Sequence, residues 1–230
     1  MTMPMEKFRQ TDERTPQGFD TPSEMVLGAE RREPLVIPND LVFILIKPLA
    51  MENKETSARI MDELAKYGTI ENAQSRLVTD RESIENHYSD SAGQQYHPPI
   101  VKYLTDQRAT HFVLRDTLPI GEREGGFANY LRSNVIGPSD PARTEPHHIR
   151  NWPIQEGLDY KIDVVDLPEE DRINNWTTIM DNLVHCSDST VSALNEISNW
   201  YKHDPEVIQC YSDEFEAMLK EMDNNDPSFS

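Results

Sequence analysis

The apolar positions of this chain fall into short runs with two distinct periods. Leu41 to Ile46 is six apolar residues in a row, closed by Lys47-Pro48. A run without polar alternation predicts a buried central strand. Thr56 to Tyr67 then places Ile60, Met61, Leu64 and Ala65 on one face, and Gly68 stops it, which predicts a helix. Thr69 to Val78 reads as a second strand. Thr79-Asp80-Arg81-Glu82 has the form of a capping box opening a helix through Tyr88. Pro98-Pro99 opens a short helix over Ile100 to Leu104. Ala109 to Arg115 predicts a third strand, and Phe127 to about Asn134 a helix after Gly125-Gly126. Leu183-Val184 forms a short strand that delivers His185 to a turn. Val191, Leu194, Ile197 and Trp200 recur at helical spacing within Thr190 to Tyr201. The order strand, helix, strand, helices, strand, helix, strand, helix predicts an α+β fold with one antiparallel sheet and helices on one face.

Three stretches stand outside this series. Residues 1–38 carry Pro4, Pro16, Pro22, Pro34 and Pro38 among many charges without sustained periodicity, as a mobile arm would. Residues 39–222 hold the domain. Within it, 153–180 reads as an insertion with its own alternating strand (Tyr160, Ile162, Val164) and an acidic helix start at Pro168-Glu169-Glu170-Asp171. Residues 223–230 form a polar tail.

Charge narrows the partners. Among 230 residues, 41 are acidic and 22 basic, a net charge of -19. That balance disfavours general binding to nucleic acid or anionic membranes, both of which need basic patches. An anionic ligand then requires a few placed cations or a metal ion. No apolar run approaches the ~18 residues of a membrane span, and the N-terminus lacks the apolar core of a signal peptide. Two cysteines, Cys186 and Cys210, make no disulfide framework. The expectation is a cytoplasmic protein.

The chemistry concentrates around His185. A histidine between a strand and a helix N-terminus is fixed in place beside a site that favours anions. Glu196 lies eleven residues further, about three turns into the helix. From there a carboxylate can bond one imidazole nitrogen, fix the tautomer and raise the basicity of the other. Lys47 ends the most buried strand, where its charge needs a partner or an anion. His87-Tyr88 ends a helix, and Tyr96 follows. A polar loop from Gly137 leads to Arg150.

This ordered set resembles the nucleoside diphosphate kinase family. The residues that carry the resemblance are Ile46-Lys47-Pro48, His87-Tyr88, Val101-Lys102-Tyr103, the loop from Gly137 to Arg150, Asn182-x-x-His185-x-Ser187-Asp188-Ser189, and Glu196. It covers roughly residues 40 to 211. The resemblance implies a ferredoxin-like fold and transfer of the terminal phosphate of a nucleoside triphosphate to a nucleoside diphosphate through phosphohistidine. It implies His185 as phosphoryl acceptor, oriented by Glu196, with Lys47 and Tyr88 near the transferred phosphate. Arg132, Ser139 and Arg150 would hold the other phosphates, Asn182 and Lys47 the ribose, and Tyr96 would stack on the base. The implied ligands are ATP and other nucleoside di- and triphosphates, with Mg²⁺ held through their phosphates and not by a protein metal site.

The chain departs from the family pattern at three places. Cys186 replaces the glycine after the histidine, which implies backbone strain and a side chain narrowing the pocket. The family's second arginine falls in register on Ser133, with Arg132 one place early. The stretch between Arg150 and Asn182 is longer than in the family, next to a loop used in oligomer contacts, so a homodimer is expected in place of a hexamer. Two other functions suit parts of the pattern. One is a nucleotide-binding or scaffold module with little turnover, favoured by Cys186 and the displaced arginine. The other is a metal site at His147-His148 with His97, which adjacent histidines on a loop rarely form.

Overall fold

The computed structural model describes residues 40–94, 97–119, 122–123, 125–140, 143–155, 168 and 182–225. The expected arm at 1–38 and most of the expected insertion at 153–180 lie outside them.

The sheet is built around the six-residue apolar run. Strand β1 (Leu41–Ile46) is followed by α1 (Pro48–Met51) and α2 (Lys54–Leu64), then β2 (Gly68–Val78). Helices α3 (Arg81–His87) and α4 (His97–Leu104) lead to β3 (Gln107–Asp116). Next come α5 (Gly126–Leu131), a π-helical turn (Arg132–Ile136), and α6 (Trp152–Gln155). Strand β4 (Val184–Cys186), α7 (Thr190–Trp200) and α8 (Pro205–Asn225) complete the described elements. The strand order is β2-β3-β1-β4 and every pairing is antiparallel. Two strand–helix–strand units of opposite direction interleaved in this order make a ferredoxin-like α+β sheet, the fold class expected from the sequence.

One expectation is corrected: helices cover both faces of the sheet, not one. Val42, Ile44 and Ile46 pack with Ile60 and Leu64 of α2 and Phe127, Ala128 and Leu131 of α5. Leu41, Phe43 and Leu45 pack with Ile84, Ile100, Val101, Leu104, Ala193, Ile197 and Trp200 of α3, α4 and α7. The reason lies in β1 itself. Successive side chains point to opposite faces, and all six are apolar and at most 4% exposed. Neither face could be left to water without losing about 1.5–3 kcal/mol per large side chain. An Ile44→Ala change at the centre would cost about 2–5 kcal/mol.

Local signals misplace one cap. The N-cap of α3 is Asp80, not Thr79, and its side chain takes the Ser83 hydroxyl at 2.6 Å instead of closing a capping box. Lys202, just beyond α7, reaches the same carboxylate. Those two partners, Lys202 first, hold Asp80 down at about 2, so α3 is pinned to the end of α7. For α7 the cap is Ser189, whose hydroxyl accepts from the Ser192 N–H at 3.1 Å. The pinned α3–α7 pair frames the region where His185 leaves the sheet.

Candidate active site

His185 sits in the middle of β4, opposite Leu45 of β1. Its side chain therefore shares the α3–α7 face, and it keeps 23% exposure. Its Nε2 lies 2.8 Å from Oε1 of Glu196, on α7. The other carboxylate oxygen accepts the Ser187 hydroxyl at 2.6 Å. The Ser187 oxygen in turn accepts the Phe43 N–H at 2.9 Å. The orienting carboxylate is thus anchored through Ser187 to the backbone of the most buried strand. A carboxylate only accepts, so Nε2 carries the proton and Nδ1 keeps its lone pair.

The surroundings hold that imidazole neutral. Burial first, then the cations Lys47, Arg150 and Arg132, push the His185 pKa well below the usual histidine value of 6.5. Burial raises Glu196, while His87 and the Ser187 hydroxyl pull it back. His87, fully buried, packs edge-on against His185 with ring centres 4.4 Å apart. It accepts the Trp200 indole N–H on Nδ1 at 3.2 Å. Burial, then the neighbouring His185, takes it down to about 3. The sequence marked His87 only as part of a pair with Tyr88, and nothing in its spacing points to this contact.

Lys47 follows directly on β1, as the N-cap of α1, at 2% exposure, with its backbone N–H bonded to Leu183 O at 2.9 Å. Its ammonium lies 5.8 Å over the Tyr88 ring. The Tyr88 hydroxyl is buried with no hydrogen-bond partner among the described residues, which suits a donor awaiting a ligand oxygen. Asn182 is buried at the entry to β4. Tyr96 lies outside the described residues.

Arg150 is more tied down than a pure ligand-binding side chain. Its Nε and Nη2 donate to Val184 O at 3.1 and 3.0 Å. Its Nη1 donates to Gly137 O at 2.8 Å and to the Ser139 hydroxyl at 3.2 Å. The fork has five N–H groups, and among the described residues these bonds engage four of them, leaving one on Nη2. Burial, then the nearby Arg132, brings its pKa down to about 10. Ser139 is drawn to the site by the same guanidinium. Arg132 is exposed, and its charge acts on His185, Cys186, Asp188 and Arg150.

Two of the three departures from the family pattern have a structural answer. Cys186 is not strained: it is a strand residue opposite Ile44, and among the described residues only Asn72 and Asp106 have positive φ outside glycine. Strand alternation sends its side chain to the face opposite His185, into the cluster of Ile44 and Phe127. The expected narrowing of the pocket is therefore corrected. The early arginine is absorbed by the π-turn, where Gly137 N donates to Arg132 O, five residues back in place of four. A π-turn accommodates one extra residue in a helix, and this one keeps Arg132 within range of His185.

His87, His185 and Glu196 bring ligand atoms within 4.8 Å of one another, but Nδ1 of His87 is taken by Trp200 and Nε2 of His185 by Glu196. His147, His148 and His97 do not form a site: both ring nitrogens of His148 are bonded to backbone groups and His97 Nδ1 lies 2.9 Å from the Ser91 hydroxyl. Among the described residues, no helix is long and apolar enough to cross a membrane.

A neutral histidine tethered to a carboxylate, with the charges of Lys47, Arg132 and Arg150 acting on it, stands on a ferredoxin-like sheet, an arrangement suited to phosphoryl transfer. The family model described as nucleoside diphosphate kinase matches residues 41–205, and the chain belongs to that family. A nucleoside diphosphate kinase of Methanocaldococcus jannaschii is 26% identical over 162 residues, 70% of this chain and 93% of the relative. One from Pyrococcus furiosus is 27% identical over 168 residues, 73% and 85% of the two chains. Among solved structures, nucleoside diphosphate kinase from Encephalitozoon cuniculi is similar with a TM-score of 0.49 at 21% identity, covering 70% of this chain and 88% of that one.

Proposed function

We propose that this chain is a working nucleoside diphosphate kinase that carries the phosphoryl group on His185. Nδ1 of the neutral imidazole attacks the terminal phosphorus of a nucleoside triphosphate. The bond from that phosphorus to the bridging oxygen breaks, and the nucleoside diphosphate leaves with the electron pair. A second nucleoside diphosphate then takes the phosphoryl group by the reverse displacement. The observation that carries this reading is the 2.8 Å contact between His185 Nε2 and Glu196, which leaves one nitrogen for chemistry. Glu196 stabilises the positive charge that grows on the ring as the new N–P bond forms.

The other roles follow from charge and position. Lys47 and the Tyr88 hydroxyl serve the transferred phosphate. Arg132, the remaining N–H of Arg150 and Ser139 hold the leaving phosphates. Asn182, with Lys47, serves the ribose, and Tyr96 the base. Phosphoryl transfer is mostly positioning and charge neutralisation, which suits a site of three cations in an acidic protein. A Mg²⁺ ion fits as a companion of the nucleotide's phosphates, because the carboxylates near His185 are already engaged: Glu196 by His185 and Ser187, Asp188 by Ser192. When bound, the ion would neutralise phosphate charge. The low-turnover module loses its support, since Cys186 lies on the far side of the strand and Arg132 acts on His185. We place the enzyme in the cytoplasm as a homodimer, with light scattering as the check on its mass.

The experiment is incubation with γ-labelled ATP. The expected product is an acid-labile, base-stable phosphoprotein that is discharged by added nucleoside diphosphate. Stable label after acid, or none at all, overturns the reading.

A further inference from the structure

We propose that His148 is a positioning residue that locks the π-turn carrying Arg132 to the loop carrying Arg150, so that both guanidinium groups meet one phosphate chain. The inference rests on the kinase reading for its consequence, but its geometry stands alone.

The π-turn creates a problem that His148 solves. Because Gly137 N–H is bonded to Arg132 O, it is withdrawn from Ser133 O, its partner in an ordinary α-helix. The next donor along a π-turn would come from residue 138, which is proline and has no N–H. Ser133 O is therefore denied both backbone donors. The Nε2 of His148 lies 3.0 Å from it.

The second ring nitrogen fixes the tautomer. His148 Nδ1 lies 2.8 Å from the Glu145 N–H, which can only donate. Nδ1 must accept, so Nε2 carries the proton and donates to Ser133 O. One neutral imidazole satisfies a carbonyl on the π-turn and an N–H on the loop. The residue is 4% exposed, so neither bond is easily exchanged for water. Loss of either leaves a buried backbone group unpaired.

Packing makes the fit specific. Gly137 has φ +87°, and a Cβ built there would stand 2.6 Å from Cγ of His148. The ring thus occupies the space that a side chain at 137 would fill. From His148 the chain runs directly through a short 3₁₀ turn, Ile149–Asn151, whose first residue is fully buried. Arg150 lies in that turn, and Asn151 Nδ2 bonds back to Thr144 Oγ1 at 2.9 Å. Arg132 is exposed, so its position depends on the turn beneath it.

The test uses His148→Phe and His148→Gln in the full chain, alone and combined with Arg132→Ala. Three quantities are read: ADP affinity by calorimetry, KM and kcat for nucleotide transfer, and the melting temperature. His148→Phe should weaken ADP binding and raise KM about tenfold, the effect of one lost hydrogen-bond pair, with kcat much less changed. The Gln amide can donate to Ser133 O and should recover part of the loss. Combined with Arg132→Ala, the histidine change should cost clearly less than it does alone, since it acts through that arginine. Unchanged ADP affinity in a folded His148→Phe protein overturns the proposal, as does full additivity with Arg132→Ala. If the Phe variant fails to fold, the Gln variant carries the same cycle. ADP affinity needs no turnover, so the bridge is tested even in a chain that formed no phosphoenzyme, and the two failures are read separately.

Discussion

The two walls of the proposed active site hold their residues in place by different means. The histidine wall hangs on regular structure. His185 is a strand residue, Glu196 stands on α7, and Ser187 couples both to the Phe43 backbone of the central strand. The arginine wall has little regular structure. Arg132, Ser139 and Arg150 are held by a π-turn, a 3₁₀ turn and side chains bonded to carbonyls at Val184, Gly137 and Ser133. The proposed nucleophile is fixed by the sheet, whose cooperativity makes small displacements expensive. The proposed phosphate grip is fixed by a handful of individual bonds, each replaceable. The difference suits the chemistry: the attacking atom must hold one position, while the grip must accept and release a nucleotide in each half-reaction.

The strongest way to break the comparison is at the nucleophile. His185→Ala should abolish phosphoenzyme formation while leaving the fold intact, because the residue is partly exposed and contributes little core. Label retained by the folded variant, measured with γ-labelled ATP, would remove His185 from its role.

Acid should attack the histidine wall before the arginine wall. His87 and His111 are both buried, and burial first of all takes each from 6.5 to about 3. Both values are lowered, so the unfolded chain takes up protons first. Stability is then full above about 6.5 and falls as pH drops toward 3. At about 1.4 kcal/mol per unit per histidine, the two together cost about 4 kcal/mol at pH 5. His111 has both ring nitrogens unpartnered among the described residues and lies against Phe43, Trp200 and Tyr201. A His111→Leu variant should lose about half of that acid sensitivity in denaturant melts at pH 7 and pH 5. An unchanged slope would assign it to other groups.

The arginine wall should yield in both function and local structure. Arg150→Ala is expected to cost about 2–4 kcal/mol in kcat/KM, the range for one preorganised charge-stabilising donor. It also strips two donors from Val184 O, directly before His185, so the damage should reach β4. Steady-state kinetics give the first part, and hydrogen exchange at residues 184–186 the second. Unchanged kcat/KM would place the loop away from the substrate.

The smallest effect sharpens the comparison on the histidine side. Cys186 faces away from the pocket, so Cys186→Gly should leave kcat/KM nearly unchanged. It should cost about 1 kcal/mol of stability for the glycine in a strand and the lost core contact. A large gain in turnover would mean that the thiol reaches the substrate after all.

The amino-acid sequence by itself determined the parts that obey short periods. The unbroken apolar run of β1, the helical spacing of α7 and the eleven-residue step from His185 to Glu196 are local signals, and a strand followed by a helix leaves little freedom in how that step closes. The covering of the second sheet face was also implicit, because six consecutive apolar residues alternate between both sides. What only the tertiary structure decided depends on groups distant in the chain. Ser187 meets Glu196 and Phe43 only after β4 pairs with β1. His87 meets His185 only because α3 is packed beside α7. The π-turn at Arg132 leaves Ser133 O to the side chain of His148, fifteen residues away, a contact that no periodic pattern marks. A backbone carbonyl carries no sequence signature, so the wall built from carbonyl contacts became visible only once the chain had folded.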